Sequence, residues 1–228
     1  MNAIITLMIT VLLVGCNAYR ATPESEILYT KKDLTKRGFV LAPIVDLSKG
    51  NTTSVGDLNA FDTILSNTLS DTWKKTHLQT VGETTKSLDG ELVEEWRVSV
   101  AKEEAGVPSP SSLTILKKLT QLGISYPSQV LLPAILQNTV SCGHKEALST
   151  YLSPDPHGPK AYCQRVMKMR FRIMDNASSA LVWNGIVYAT QESTAKNKDD
   201  EETPLDPPST QALIRECFIN FSKQFDGN

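Results

Sequence analysis

The stretch Met167-Lys168-Met169-Arg170-Phe171-Arg172-Ile173 alternates strictly between apolar and cationic residues. Successive side chains of a β-strand point to opposite faces of the sheet, so this alternation predicts a strand with one buried and one hydrated face. The chain then turns at Asp175-Asn176-Ala177-Ser178 and continues into a second apolar run at 180–189. Together the two runs predict an antiparallel β-hairpin within a sheet.

The segments on either side of this hairpin alternate between strand and helix patterns. Continuous apolar runs predict further strands at 38–46 and 130–140. Apolar residues at helical spacing predict an amphipathic helix at 58–76, a helical insert at 88–123 and a closing helix near the C-terminus. This order predicts an α/β (α+β) sandwich, with amphipathic helices and a helical insert packed on a mostly antiparallel four-stranded sheet.

The first residues carry a targeting pattern. An apolar run at 3–15 ends in Leu13-Val14-Gly15-Cys16. The run is shorter than the ~20 apolar residues of a transmembrane helix and has the length of a signal-peptide core. Its end resembles a bacterial lipobox, in which the cysteine is lipid-modified and the preceding residues are removed. We therefore predict a lipoprotein signal peptide at 1–15 and lipidation of Cys16, which anchors the protein to a membrane.

A polar segment separates the predicted anchor from the rest of the chain. Residues 16–36 are predicted to form the lipidated end and a flexible tether, and residues 37–228 a single α/β domain. Asn17, rather than Asp, follows the cysteine, which in the lipoprotein pattern directs the protein to the periplasmic face of the outer membrane. An ordinary cleaved signal peptide and a buried apolar helix are the alternatives, and the lack of Lys or Arg in Met1-Asn2-Ala3 departs from the usual basic start.

Composition excludes some classes of partner. The 228 residues carry a formal net charge of −2, with 40% hydrophobic and 21% charged residues. These proportions are typical of a soluble globular domain, and the balanced charge gives no basis for a nucleic-acid partner. We predict association with the membrane through the lipid anchor alone.

The sequence lacks the common motifs of catalysis. The chain contains no phosphate-binding glycine loop, no Gly-x-Ser-x-Gly and no His-Glu-x-x-His. Carboxylate pairs such as Glu94-Glu95 fall on predicted helices, where adjacent side chains point in different directions. The sequence therefore predicts a protein that is not an enzyme and uses no cofactor and no small-molecule substrate.

Four residues with metal-binding side chains, Cys142, His144, His157 and Cys163, fall within one short stretch. In one interpretation Cys142 ends a strand and Cys163 begins the next, so that an antiparallel pairing brings them together as a disulfide. In the other, the four side chains bind zinc, although the Cys-x-His spacing is tighter than is usual for a ligand pair. We predict the disulfide and no metal site. Cys217 lies among apolar residues of the closing helix and is interpreted as a small buried hydrophobe.

The cations of the alternating strand form a stripe. Lys168, Arg170 and Arg172 are predicted to project from one face of the sheet. The simpler interpretation is a hydrated sheet face, which costs little because solvent and salt screen the repulsion. The functional interpretation is a partner-binding site that steers the anchored domain onto an acidic surface.

Two stretches carry a family resemblance. One is the opening strand Phe39-Val40-Leu41-Ala42-Pro43-Ile44-Val45-Asp46, followed by a polar loop and an amphipathic helix. The other is the hairpin from Phe171 to Trp183, with its Asp-containing turn and its aliphatic-Trp return strand. Both are similar to the TolB-N-terminal-like family of bacterial envelope lipoproteins, a group that includes CsgG and LpoB.

The resemblance implies a lipid-anchored periplasmic binding domain without catalysis. Pore formers of the CsgG type need amphipathic hairpins that line a membrane barrel, whereas the insert at 88–123 is helical and charged. An LpoB-like adaptor for an envelope protein partner is therefore the expectation. The alternative is a component of a secretion or surface-assembly complex that is not itself a pore.

Overall fold

The computed structural model describes residues 22–23, 32, 36–49, 53–74, 76–79, 90–101, 109, 112, 114–115, 129–145, 160–175, 177–178, 180–194 and 205–225. Its strands are β1 Thr22–Pro23, β2 Phe39–Leu41, β3 Val45–Asp46, β4 Leu78–Gln79, β5 Gln129–Lys145, β6 Lys160–Asp175 and β7 Leu181–Thr194. Its helices are α1 Val55–Thr72, α2 Gly90–Ala101 and α3 Thr210–Lys223. The predicted α+β sandwich is confirmed.

One mixed sheet contains all seven strands. Its order is β1-β7-β6-β5-β2-β4, and β3 also pairs with β5. The strands β5, β6 and β7 form an antiparallel meander that contains the predicted hairpin, whereas β2, β3 and β4 run parallel to their neighbours. The predicted strand at 38–46 is divided into β2 and β3. The strands β1 and β4 were not predicted, because two residues are too few to show a pattern of alternation.

The main core lies between α1, α3 and one face of the sheet. The apolar residues of the alternating strand, Met167, Met169, Phe171 and Ile173, are all fully buried there. The α3 residues that face them are equally buried, namely Leu213, Ile214, Cys217, Phe218 and Phe221. Burial raises the pKa of the free Cys217 thiol, in keeping with the predicted role of a small hydrophobe.

The helical insert packs against the opposite face. A second core cluster joins Trp96 and Val100 of α2 to Leu132 and Met174 of the sheet. The Trp96 indole N–H donates a hydrogen bond to the Pro43 carbonyl at 3.1 Å. The insert therefore caps one end of this face. Beyond α2, most of the predicted insert lies outside the described residues.

Two residues that usually weaken strands have specific places in the sheet. Pro133 pairs with Phe171 in the first third of β5, between the β5 residues that pair with β2 and those that pair with β3. A missing N–H is tolerated at this break in the ladder. At Gly185 an added Cβ would lie 2.4 Å from the Trp183 ring, so only glycine lets the indole pack across the strand.

Serine residues form the N-caps of both helices of the main core. The Ser54 hydroxyl accepts the Asp57 N–H at 3.1 Å and donates to the Asp57 carboxylate at 2.7 Å. The Ser209 hydroxyl accepts the Ala212 N–H at 3.4 Å. Both caps satisfy backbone donors of the first helical turn. Among the helices described, none is both long and apolar enough to cross a membrane.

Candidate functional site

Cys142 and Cys163 are directly opposite each other in the β5–β6 ladder and form a disulfide. Cys163 is buried, and the Leu205 carbonyl lies 3.5 Å from its Sγ. The bridge joins residues that are 21 positions apart, near the ends of both strands. It therefore ties together the part of the meander that extends beyond the main core.

Reduction of this disulfide is expected to lower the free energy of unfolding by about 3 kcal/mol, because the bridge restricts a loop of this length in the unfolded chain. Mass spectrometry after alkylation in denaturant checks the pairing. Without reductant Cys217 should label while Cys142 and Cys163 should not, and all three should label once reductant is added. Labelling of all three without reductant would contradict the bridge.

The zinc alternative would need both cysteines as free thiolates, which the disulfide excludes in this structure. His144 is exposed near the end of β5, and His157 lies outside the described residues. Within the part of the chain that is described, no group of three or more His, Cys, Asp or Glu side chains is arranged to hold a metal ion.

The cationic stripe of β6 is shorter than predicted. Lys168 and Arg170 are half-buried on the face opposite the main core, but Arg172 is only 3% exposed. Arg172 pairs with Leu132, which belongs to the cluster packed under α2. The prediction of a hydrated side chain is therefore wrong for Arg172, because the insert lies at this end of the face. We refer to Lys168 and Arg170 as the cationic patch.

An aromatic ring extends the cationic patch. Tyr188 of β7 pairs with Lys168, and the Lys168 Nζ lies 5.3 Å from the centroid of the Tyr188 ring. A cation at this distance is attracted to the face of the ring. The interaction orients the ammonium group within the sheet face and leaves the patch with both charged and aromatic character.

The predicted tether meets the sheet beside this patch. Thr22 of β1 pairs with Ile186, and Ile186 pairs with Arg170. This part of the predicted flexible tether is therefore a strand. It adds to the edge of the sheet by pairing with backbone N–H and C=O groups of β7. From Cys16 to Thr22 the chain can span at most about 20 Å, even when fully extended.

A buried ion pair, which sequence analysis missed, fixes the insert to the main core. The Arg97 guanidinium of α2 lies 3.0 Å from the Asp62 carboxylate of α1, and both residues are at least nine-tenths buried. Asp62 also accepts the Ile44 N–H at 2.7 Å, while Arg97 donates to the Ile44 carbonyl at 3.2 Å and to the Asn59 side chain at 3.0 Å. The pair thus binds two helices to the segment between β2 and β3.

Burial raises the pKa of Asp62 to about 7, while the Ile44 N–H and the Arg97 charge act in the opposite direction. The ordinary pKa of an aspartate is about 3.9. Between these two values the folded protein binds a proton that the unfolded chain does not. The contribution of this site to stability therefore falls as the pH rises from about 4 to about 7.

A cleft of about 890 Å³ opens between the first turns of α1 and α3 and the middle of β5 and β6. Arg165 of β6 forms part of its wall and donates from Nη1 to Asn138 at 3.1 Å and to Thr210 at 2.6 Å. Lys49 contributes a second cation, and Asp57 a carboxylate. Burial lowers the pKa of Arg165.

One signal of this cleft is present in the amino-acid sequence. Arg165 alternates in step with Met167 and Met169 along β6. Its side chain therefore lies on the face that packs against the helices, and not on the face of the cationic patch. A cation on the core face of a strand needs polar partners there. Those partners are Asn138 and Thr210, which are far from Arg165 in the sequence and are brought to it only by the fold.

No protein-family model and no curated protein matches this chain. Several solved structures are similar in fold. The PelC dodecamer of Paraburkholderia phytofirmans is 11% identical, with 89% of this chain and 96% of that chain covered and a TM-score of 0.41. Lipoprotein GNA1162 of Neisseria meningitidis is 13% identical, with 84% and 99% covered and a TM-score of 0.41. The LpoB C-terminal domain of Salmonella enterica is 9% identical, with 74% and 88% covered and a TM-score of 0.33.

Proposed function

We propose that this chain is a lipid-anchored, non-enzymatic binding protein of the bacterial envelope, held on the periplasmic face of the outer membrane. Its α+β domain acts as an adaptor that docks an envelope protein partner. The observation that carries this proposal is the sequence Leu13-Val14-Gly15-Cys16, which resembles a lipobox and is followed by a polar segment.

The pairing of β1 limits how far the domain extends from its anchor. With Thr22 held on β7, the chain that leads back to Cys16 allows a separation of at most about 20 Å. The adaptor therefore works close to the membrane surface, on partners that are themselves near that surface.

The docking site in this proposal is the cationic patch, formed by Lys168 and Arg170 on the sheet face opposite the main core. Cations at the rim of an interface raise the association rate toward an acidic surface and lose this effect in salt. The disulfide between Cys142 and Cys163 supports the same location, since such bridges persist in oxidising compartments such as the periplasm.

The anchor is tested with the full chain expressed in a bacterial host. We expect the mature N-terminus to be an acylated Cys16 and the protein to sediment with outer membranes. The substitution Cys16→Ala should release it from the membrane fraction, while Cys217→Ala should leave it there. An unmodified N-terminus, or membrane association that survives Cys16→Ala, would overturn the anchor.

The docking site is tested by chemical cross-linking of envelope membranes followed by affinity purification. The variant Lys168→Glu/Arg170→Glu should capture less partner than the unmodified chain, with the largest difference at low salt. Arg215→Glu, a charge reversal at an exposed position of α3, serves as the control. Arg172 is left unchanged because it is buried. Equal capture by the double variant and the control would show that the patch is only a hydrated face.

A further inference from the structure

The cleft between α1, α3, β5 and β6 has the dimensions of a ligand site. Its volume of about 890 Å³ falls within the range of about 300–1,000 Å³ that is common for small-molecule pockets. Its walls are mostly polar, with Phe61 and Val140 as the apolar part. This combination suits a small polar molecule better than an apolar one.

Arg165 has unused hydrogen-bonding capacity at this cleft. A guanidinium carries five N–H donors, and the two hydrogen bonds of Arg165 both start from Nη1. Its Nε is buried and has no partner among the described residues, and no carboxylate of the described part forms an ion pair with it. Among the described residues this buried donor has neither an acceptor nor a counter-charge, so it is available to an oxyanion.

The other groups of the cleft complete the chemistry. Lys49 adds a second positive charge, while Thr53, Ser209 and Gln211 provide hydroxyl and amide groups around it. The Asp57 carboxylate also lies in the wall, where the Ser54 hydroxyl donates to it at 2.7 Å. Two cations against one hydrogen-bonded carboxylate favour an anion, and the neutral polar groups suit hydroxyls.

We propose that this cleft binds a small hydroxylated molecule that carries an oxyanion, such as a phosphorylated or carboxylated sugar or polyol. Arg165 and Lys49 pair with the oxyanion, and the hydroxyl and amide side chains bind the hydroxyl groups of the ligand. The cleft lies on the helix side of the sheet, so ligand binding there is separate from the cationic patch and does not depend on the proposed adaptor function.

Calorimetric titration and thermal unfolding of the full chain in detergent test this assignment. The probes are glycerol 3-phosphate, glucuronate, inorganic phosphate and, as the neutral control, glucose. We expect at least one of the two hydroxylated anions to bind and to raise the midpoint of unfolding, and glucose to do neither. Tighter binding of glycerol 3-phosphate indicates a preference for phosphate, and tighter binding of glucuronate indicates a preference for carboxylate.

Substitutions assign the binding to the cleft. Arg165→Gln should weaken binding by about tenfold or more, as expected for loss of a hydrogen bond to a charged group, and Lys49→Gln should weaken it by a smaller factor. Arg215→Gln is the matched control and should bind like the unmodified chain. Since Arg165→Gln also removes contacts to Asn138 and Thr210, Lys49→Gln at an exposed position decides the outcome if the first variant does not fold.

Three results would overturn the proposal. These are no binding by either hydroxylated anion, equal binding by glucose, and undiminished binding by the Lys49 and Arg165 variants. Binding of inorganic phosphate alone would overturn the hydroxylated class of ligand.

Discussion

Replacement of Arg97 by methionine is expected to lower the free energy of unfolding by about 3–5 kcal/mol at about pH 8. At that pH Asp62, whose pKa burial raises to about 7, is largely ionised in the folded protein. Methionine fills a similar volume but leaves the carboxylate without its counter-charge. It also removes the hydrogen bonds to the Ile44 carbonyl and to Asn59.

A second substitution separates charge from packing. In Asp62→Asn/Arg97→Met the amide oxygen still accepts the Ile44 N–H, but no buried charge remains. We expect the double variant to recover at least half of the lost stability, since a buried ion pair contributes little beyond a neutral pair of similar shape. Arg215→Met, at an exposed position of α3, should change stability by less than about 0.5 kcal/mol.

The pH dependence gives an independent check. Loss of Arg97 raises the pKa of Asp62 further, so as the pH falls toward about 5 the carboxyl in Arg97→Met is protonated and the isolated buried charge disappears. The cost of the substitution should then shrink. Urea unfolding followed by tryptophan fluorescence measures each difference. A cost that does not change with pH would show that Arg97 acts through packing and hydrogen bonds and not through its charge.

The second large effect is expected at Phe221, where alanine should cost about 3–5 kcal/mol. Phe221 is fully buried and stands at the centre of the aromatic cluster of the main core. Its ring centroid lies 4.5 Å from that of Phe171, 5.4 Å from Trp183 and 5.7 Å from Trp73. Removal of the ring therefore opens a cavity between α3, α1 and the sheet.

The design of this test excludes effects on the helix itself. Alanine has the highest helix propensity, so any loss measured in Phe221→Ala comes from packing. Phe221→Leu, which leaves a smaller cavity, should cost about half as much. Arg215→Ala on the exposed side of α3 is the matched control. If the alanine and leucine variants were equally stable, the aromatic cluster would not depend on the volume of this ring.

Sequence alone determined the parts of the fold that repeat a pattern over many residues. The alternation along β6 identified the buried residues Met167, Met169, Phe171 and Ile173, and helical spacing identified the buried face of α3. The positions of Cys142 and Cys163 at the ends of adjacent strands predicted the partners that the structure joins. Each of these inferences needs only the geometry of one element or of two that are consecutive in the chain.

The tertiary structure decided whatever depends on segments far apart in sequence. Arg172 is buried because the insert lies over this end of the sheet. The alternation within β6 contains no information about the position of the insert. Arg97 and Asp62 are 35 positions apart in the sequence. In the cleft, Arg165 is 27 positions from Asn138 and 45 positions from Thr210. Charged side chains of an amphipathic element are expected to face water. Only the packing of the elements shows which of them are buried with a polar partner. For this protein the sequence therefore determined the layers and their faces, while long-range packing decided which polar residues lie between them.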